Sequence, residues 1–209
     1  MWKPQREALS GHQVHTPDLY WLGNSMDEWA LAILDEFDGP FLACGASMGG
    51  YCALALARRA PERVAGLLLA GSRIEADSPE RREGRAATID LIRSGGAQAL
   101  WKDMRPKLFP DDTPADAVER AQEIALDQDP DGLVAAVEAI RDRPDSTDVV
   151  AALDAPVVVT LGDRDPFLSV DETADYPGRT EVFTDTGHLP SLQRPERFNR
   201  VLLGLLESL

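Results

Sequence analysis

Cysteine is nearly missing from this chain: 209 residues hold two, Cys44 and Cys52. So small a supply offers no disulfide framework. Two reduced, buried thiols in a cytoplasmic protein are the expectation. Histidine is scarce too, with His12, His15 and His188 only. No histidine pair, cysteine cluster or dense carboxylate spacing matches a metal-ligand pattern, so neither a metal nor another cofactor is expected. Lysine is limited to Lys3, Lys102 and Lys107, and arginine carries the rest of the positive charge. The net charge of -15 would repel phosphates and anionic lipid surfaces, so nucleic acid and membranes are not expected partners. No apolar leader segment or membrane-length apolar run is visible, and neither are repeats or low-complexity tracts.

What is there is ordinary for a globular domain: 44% apolar and 27% charged residues, in a length that can bury one sizeable core. Trp2 to Leu9 reads as a short helix and His12 to Thr16 as a short extended segment. Ser25-Met26-Asp27-Glu28 has capping-box spacing. The helix it opens carries Trp29, Ile33, Leu34 and Phe37 at helical intervals, and Gly39-Pro40 stops it. Apolar runs at 40–45, 63–70 and 156–161 read as buried parallel strands, with a shorter strand at 180–184. Pro195 to Leu209 reads as an amphipathic terminal helix. Strands alternating with helices predict an α/β fold with a mostly parallel central sheet flanked by helices. Residues 1–209 form one domain on this reading. Within it, residues 74–148 form a helical insertion divided by Pro106, Pro110, Pro114, Pro130 and Pro144.

The most telling stretch is Phe41-Leu42-Ala43-Cys44-Gly45-Ala46-Ser47-Met48-Gly49-Gly50. A strand-like run ends in Gly-x-Ser-x-Gly, and a helix-forming run follows at once. Strand, tight turn, helix is the context of a nucleophile elbow. It predicts Ser47 in a strained conformation, flanked by Gly45 and Gly49 because the turn leaves no room for larger residues. The backbone N–H of Met48 would then stand at a helix N-terminus, suited to negative charge.

A serine hydroxyl needs a base within hydrogen-bond reach, and the base needs an orienting group. His188 lies in the loop between the last strand and the terminal helix, at the same sheet edge as the elbow. It is the candidate base; His12 and His15 read as structural or surface residues. The strand at 156–161 runs into Gly162-Asp163-Arg164-Asp165-Pro166. Either Asp163 or Asp165 could orient the imidazole, the other serving as a turn-forming aspartate.

The chain resembles the small, helical-capped members of the α/β-hydrolase family. The likeness rests on the elbow, Arg59-Ala60-Pro61-Glu62-Arg63-Val64, the Gly-Asp-Arg-Asp-Pro turn and Gly187-His188-Leu189-Pro190. It implies Ser47, Asp165 and His188 as nucleophile, acid and base, with the acid three residues after the turn glycine. It further implies a small-molecule substrate, and an ester or lactone as the bond cleaved. Met48 N–H would be one oxyanion donor. The strand and glycine loop that supply the second donor in such proteins have no counterpart here, so a segment upstream of Met1 is expected. Without it, the sheet should show an open edge, with 12–16 not paired to 40–45. A ligand-binding or weakly active protein is the alternative function. Trp101, Met104, Phe109 and Leu189 either line the substrate pocket or form the core of the insertion.

Overall fold

Four apolar runs become four strands: β1 (Phe41–Ala46), β2 (Val64–Ala70), β3 (Val157–Gly162) and β4 (Arg179–Phe183). The computed structural model describes residues 1–209. The strands form one sheet in the order β1-β2-β3-β4, and every pairing is parallel. All four therefore send their C-terminal loops to one edge. β1 pairs on one side only, with β2, and residues 12–16 join no sheet. The extended segment expected there is thus not a strand, and it does not pair with β1.

Alternation along β2 shows why the strands are apolar throughout. Leu67 and Leu69 belong to one core cluster, with Val157, Val159 and residues of the helices α2 (Met26–Asp35) and α3 (Met48–Arg59). Leu68 and Ala70 belong to the other, with Val158, Phe183 and Phe198. Successive side chains point to opposite faces, and both faces are covered. Met1 and Trp2, before α1 (Lys3–Ala8), pack against the second cluster.

The capping pattern before α2 forms with one difference. Ser25 Oγ accepts from Glu28 N–H at 3.2 Å, but Glu28 Oε2 accepts from Asn24 N–H at 2.6 Å rather than from Ser25. Trp29 is fully buried, and its indole N–H donates to Gly23 O at 2.8 Å, which pins the loop onto the helix.

Between β2 and β3 the chain forms four helices: α4 (Pro79–Leu108), α5 (Ala115–Leu126), α6 (Pro130–Asp142) and α7 (Thr147–Ala152). The proline reading needs one correction. Pro106 lies inside the last part of α4, and the break falls instead at Gly96, with φ 61° and ψ -159°. Such dihedrals are open to glycine at little cost, and that is why the break occurs there. The remaining helices, α8 (Pro190–Gln193) and α9 (Pro195–Leu206), follow β4. No helix is long and apolar enough to cross a membrane.

Candidate active site

Ser47 stands between the last residue of β1 and the first of α3, with φ 49° and ψ -115°. Such a conformation is strained for a non-glycine residue and persists only where the surroundings impose it. Here they do. Ser47 N–H donates to Ala70 O at 2.8 Å, while Ser47 O accepts from Gly50 N–H at 2.9 Å. Ser47 O also accepts from Ser72 Oγ at 2.9 Å. The glycines divide the steric work differently from the sequence reading. A Cβ on Gly45 would lie 2.1 Å from Gly49 O, and one on Gly50 would lie 2.0 Å from Ser72 Oγ. A Cβ on Gly49 would meet nothing within 4 Å. Gly45 and Gly50 close the turn, and Gly49 is sterically free.

His188 is buried at 3% exposure, in the loop after β4. Its Nε2 lies 2.9 Å from Ser47 Oγ and its Nδ1 lies 2.8 Å from Asp165 Oδ2. An ionised carboxylate can only accept, so Nδ1–H is the donor to Asp165. That leaves Nε2 with its lone pair toward the Ser47 hydroxyl. Asp165 is held on its other oxygen too, where Oδ1 accepts from Phe167 N–H at 2.8 Å. Its side chain is fully buried. Asp163 turns elsewhere: its Oδ1 accepts from Thr186 N–H at 3.2 Å. The two aspartates left open by the sequence are thereby separated, one facing the imidazole and one tying the two loops together. His12 and His15 are exposed and distant in role; the His15 ring stacks on Phe37 at 4.8 Å.

Several groups around His188 carry no local sequence signal. The ring of Phe167 meets the imidazole edge-on at 4.7 Å. Leu108 O, at the end of α4, accepts from His188 N–H at 3.0 Å. Buried Gln193 accepts from Gly187 N–H through Oε1 at 3.0 Å. Each depends on where separate loops meet; only the shared edge of the strands hints at it.

Met48 is the first residue of α3, and its N–H donates to no protein group. It is one of the free donors expected at a helix start. Trp101, Phe109 and Leu189 are buried together with Ala121 in one cluster, and Met104 is half-buried. No group of three or more His, Cys, Asp or Glu side chains is placed to hold a metal ion. Cys52 is buried on α3, and burial pushes its thiol up to about 12. At neutral pH it stays a thiol rather than a nucleophilic thiolate.

The pattern of the alpha/beta hydrolase family matches residues 1–201. A pimeloyl-[acyl-carrier protein] methyl ester esterase from Aromatoleum aromaticum is 31% identical, over 90% of this chain and 84% of that protein. A 3-oxoadipate enol-lactonase from Acinetobacter baylyi is 26% identical, over the whole of this chain and 84% of that protein. Among solved structures, a thermophilic esterase from Thermogutta terrifontis superposes with a TM-score of 0.89 at 31% identity, covering 99% of this chain and 84% of that one.

Proposed function

Since the chain belongs to the alpha/beta hydrolase family, we propose that it is a cofactor-free serine hydrolase cleaving a carboxylic ester or lactone of a small molecule. The observation that carries this reading is the hydrogen-bonded line Ser47 Oγ, His188 Nε2, His188 Nδ1, Asp165 Oδ2, with spacings of 2.9 and 2.8 Å. A buried carboxylate, an imidazole fixed by it and a serine on a strained turn have complementary roles in acyl transfer. The similarity to an esterase and an enol-lactonase supports the choice of bond.

In the reaction, Ser47 Oγ attacks the carbonyl carbon and its proton passes to His188 Nε2. Asp165 stabilises the imidazolium that forms. The carbonyl oxygen gains the electron pair and accepts from Met48 N–H, at the positive end of α3. Collapse breaks the bond to the leaving oxygen, which takes the proton from His188. The product is acyl-Ser47 and an alcohol; with a lactone, the new hydroxyl stays on the acyl chain. A water then gives its proton to His188 and attacks the acyl carbon. The acid leaves and Ser47 recovers its proton.

The test is hydrolysis of p-nitrophenyl acetate by Ser47→Ala and His188→Ala. Both should lose nearly all turnover while keeping the wild-type melting curve, because members of such a unit act together. A Ser47→Ala enzyme with most of its activity would remove the serine from the mechanism.

A further inference from the structure

The three residues that follow β2, Gly71-Ser72-Arg73, lie at the edge where the loops of Ser47, Asp165 and His188 converge. Each touches a different one. Gly71 has φ 61°, and a Cβ there would stand 2.9 Å from His188 Cε1 and 3.0 Å from Nδ1. Ser72 Oγ donates to Ser47 O at 2.9 Å. Arg73 reaches the third loop: its Nε and Nη2 both donate to Phe167 O, at 3.0 and 2.6 Å.

Arg73 is buried at 8% exposure. Burying a guanidinium is costly unless it is paired and hydrogen-bonded. Its ion partner is Glu172, with Oε1 at 2.6 Å from Nη2. Glu172 is fixed in turn, since its Oε2 accepts from Ser169 N–H and Ser169 Oγ, both at 2.9 Å. The guanidinium therefore directs two donors at one backbone carbonyl, that of Phe167. That residue has two further contacts. Its N–H holds Asp165 Oδ1 at 2.8 Å, and its ring meets the His188 imidazole at 4.7 Å.

We infer that Arg73 is a positioning residue that sets the Asp165–His188 hydrogen bond by clamping the backbone of Phe167. The inference rests on the serine-hydrolase reading given above. Freed from Arg73, the peptide that carries Phe167 O can rotate and Phe167 Cα can shift with it. The N–H on the preceding peptide, which orients the Asp165 carboxylate, then loses its fixed position. A displacement of a catalytic group by about 1 Å can cost on the order of 10²-fold in rate. Substrate affinity should change little, because Arg73 acts through the acid loop and not on the substrate.

The experiment compares wild type with Arg73→Met, Arg73→Lys and Glu172→Gln. Three quantities are measured: kcat and KM on p-nitrophenyl acetate, the melting temperature, and the far-downfield proton resonance of His188 Nδ1–H. Arg73→Met should lower kcat by roughly 10- to 100-fold with KM within about twofold, and shift or broaden the resonance. Arg73→Lys keeps one charged donor for Phe167 O and should recover part of both. Glu172→Gln leaves the guanidinium unpaired and should move both in the same direction by less. It keeps the inference testable should Arg73→Met fail to fold. A folded Arg73→Met with unchanged kcat, or with an unchanged resonance, overturns the inference. An unchanged Glu172→Gln overturns it if that is the only variant that folds. Failure of the underlying reading is a separate result: wild type would then leave Ser47 unlabelled by a fluorophosphonate.

Discussion

Leu108 O accepts the backbone N–H of His188 at 3.0 Å, tying the last turn of α4 to the imidazole loop. The contact is close because Gly187 has no side chain: a Cβ there would lie 2.5 Å from Leu108 O and 2.6 Å from Pro110 Cδ. The helices between β2 and β3 thus bear directly on the residue proposed as base.

Gly187→Ala should accordingly separate α4 from the loop and move His188. The expected result is a loss of kcat of about 10-fold or more, by misplacement of the base. A drop in melting temperature should accompany it. Steady-state kinetics with a thermal melt checks both, and an unchanged kcat would mean that the loop adjusts without carrying the imidazole along.

The elbow glycines predict a contrast. Gly49 lies in the first turn of α3 with open space where a methyl group would project, whereas Gly45 faces the Gly49 carbonyl. Gly49→Ala should therefore be tolerated and can gain about 0.5–1 kcal/mol from the lower helix cost of alanine. Gly45→Ala should destabilise by about 3 kcal/mol, the upper end of the usual overpacking cost, or prevent folding, since backbone and not a flexible side chain stands in the way. Urea titration of the two variants decides the matter. Equal stability would remove the steric account of the turn.

Strand identity was legible in the sequence because β2 and β3 are apolar on both faces, as a sheet covered on both sides requires. Ser47 was legible because strand, glycine turn and helix are adjacent in the chain. The steric roles within the turn were not: Gly49 fits the motif, but Gly50 is the residue that packs on Ser72. Asp163 and Asp165 share one turn, and only the folded loops show which carboxylate faces the imidazole. The break in α4 was misplaced because proline is a strong local breaker, while Gly96 changes direction by dihedrals that no sequence window displays. Arg73 gave no signal at all; its partners are 94 and 99 residues away.

The two aspartates make a second contrast. Asp165→Asn should cut turnover by orders of magnitude, toward the roughly 10⁴ seen when the acid of such a triad is replaced and the imidazole adopts the wrong tautomer. Asp163→Asn keeps a carbonyl oxygen that can still accept from Thr186 N–H, so kcat should fall by no more than about 10-fold, within the range of a loosened loop. The ratio of the two kcat values is the readout, and the reverse ranking would transfer the acid role to Asp163.

Glu172 links acidity to stability. The Ser169 N–H, with the Arg73 guanidinium and the Ser169 hydroxyl, holds its carboxyl down to about 2, against an ordinary value of 4.5. A depressed folded value means that the stabilisation is complete above about 4.5 and disappears as pH falls toward about 2. The side chain is 42% exposed, so solvent screens the pair and the effect is modest. Wild type should lose urea resistance more steeply than Glu172→Gln between about pH 5 and pH 3, in the sense set by proton linkage. Parallel curves would show that the carboxylate contributes nothing to folding in that range.

The serine–histidine pair itself is tested most directly by intact-mass measurement after treatment with a fluorophosphonate. Wild type should gain a single adduct, mapped by peptide sequencing to Ser47, and its hydrolysis of p-nitrophenyl acetate should vanish in step with labelling. His188→Ala should label far more slowly, and Ser47→Ala not at all. A folded wild-type protein that stays unlabelled, or an adduct on any residue other than Ser47, would contradict the assignment of Ser47 as the nucleophile.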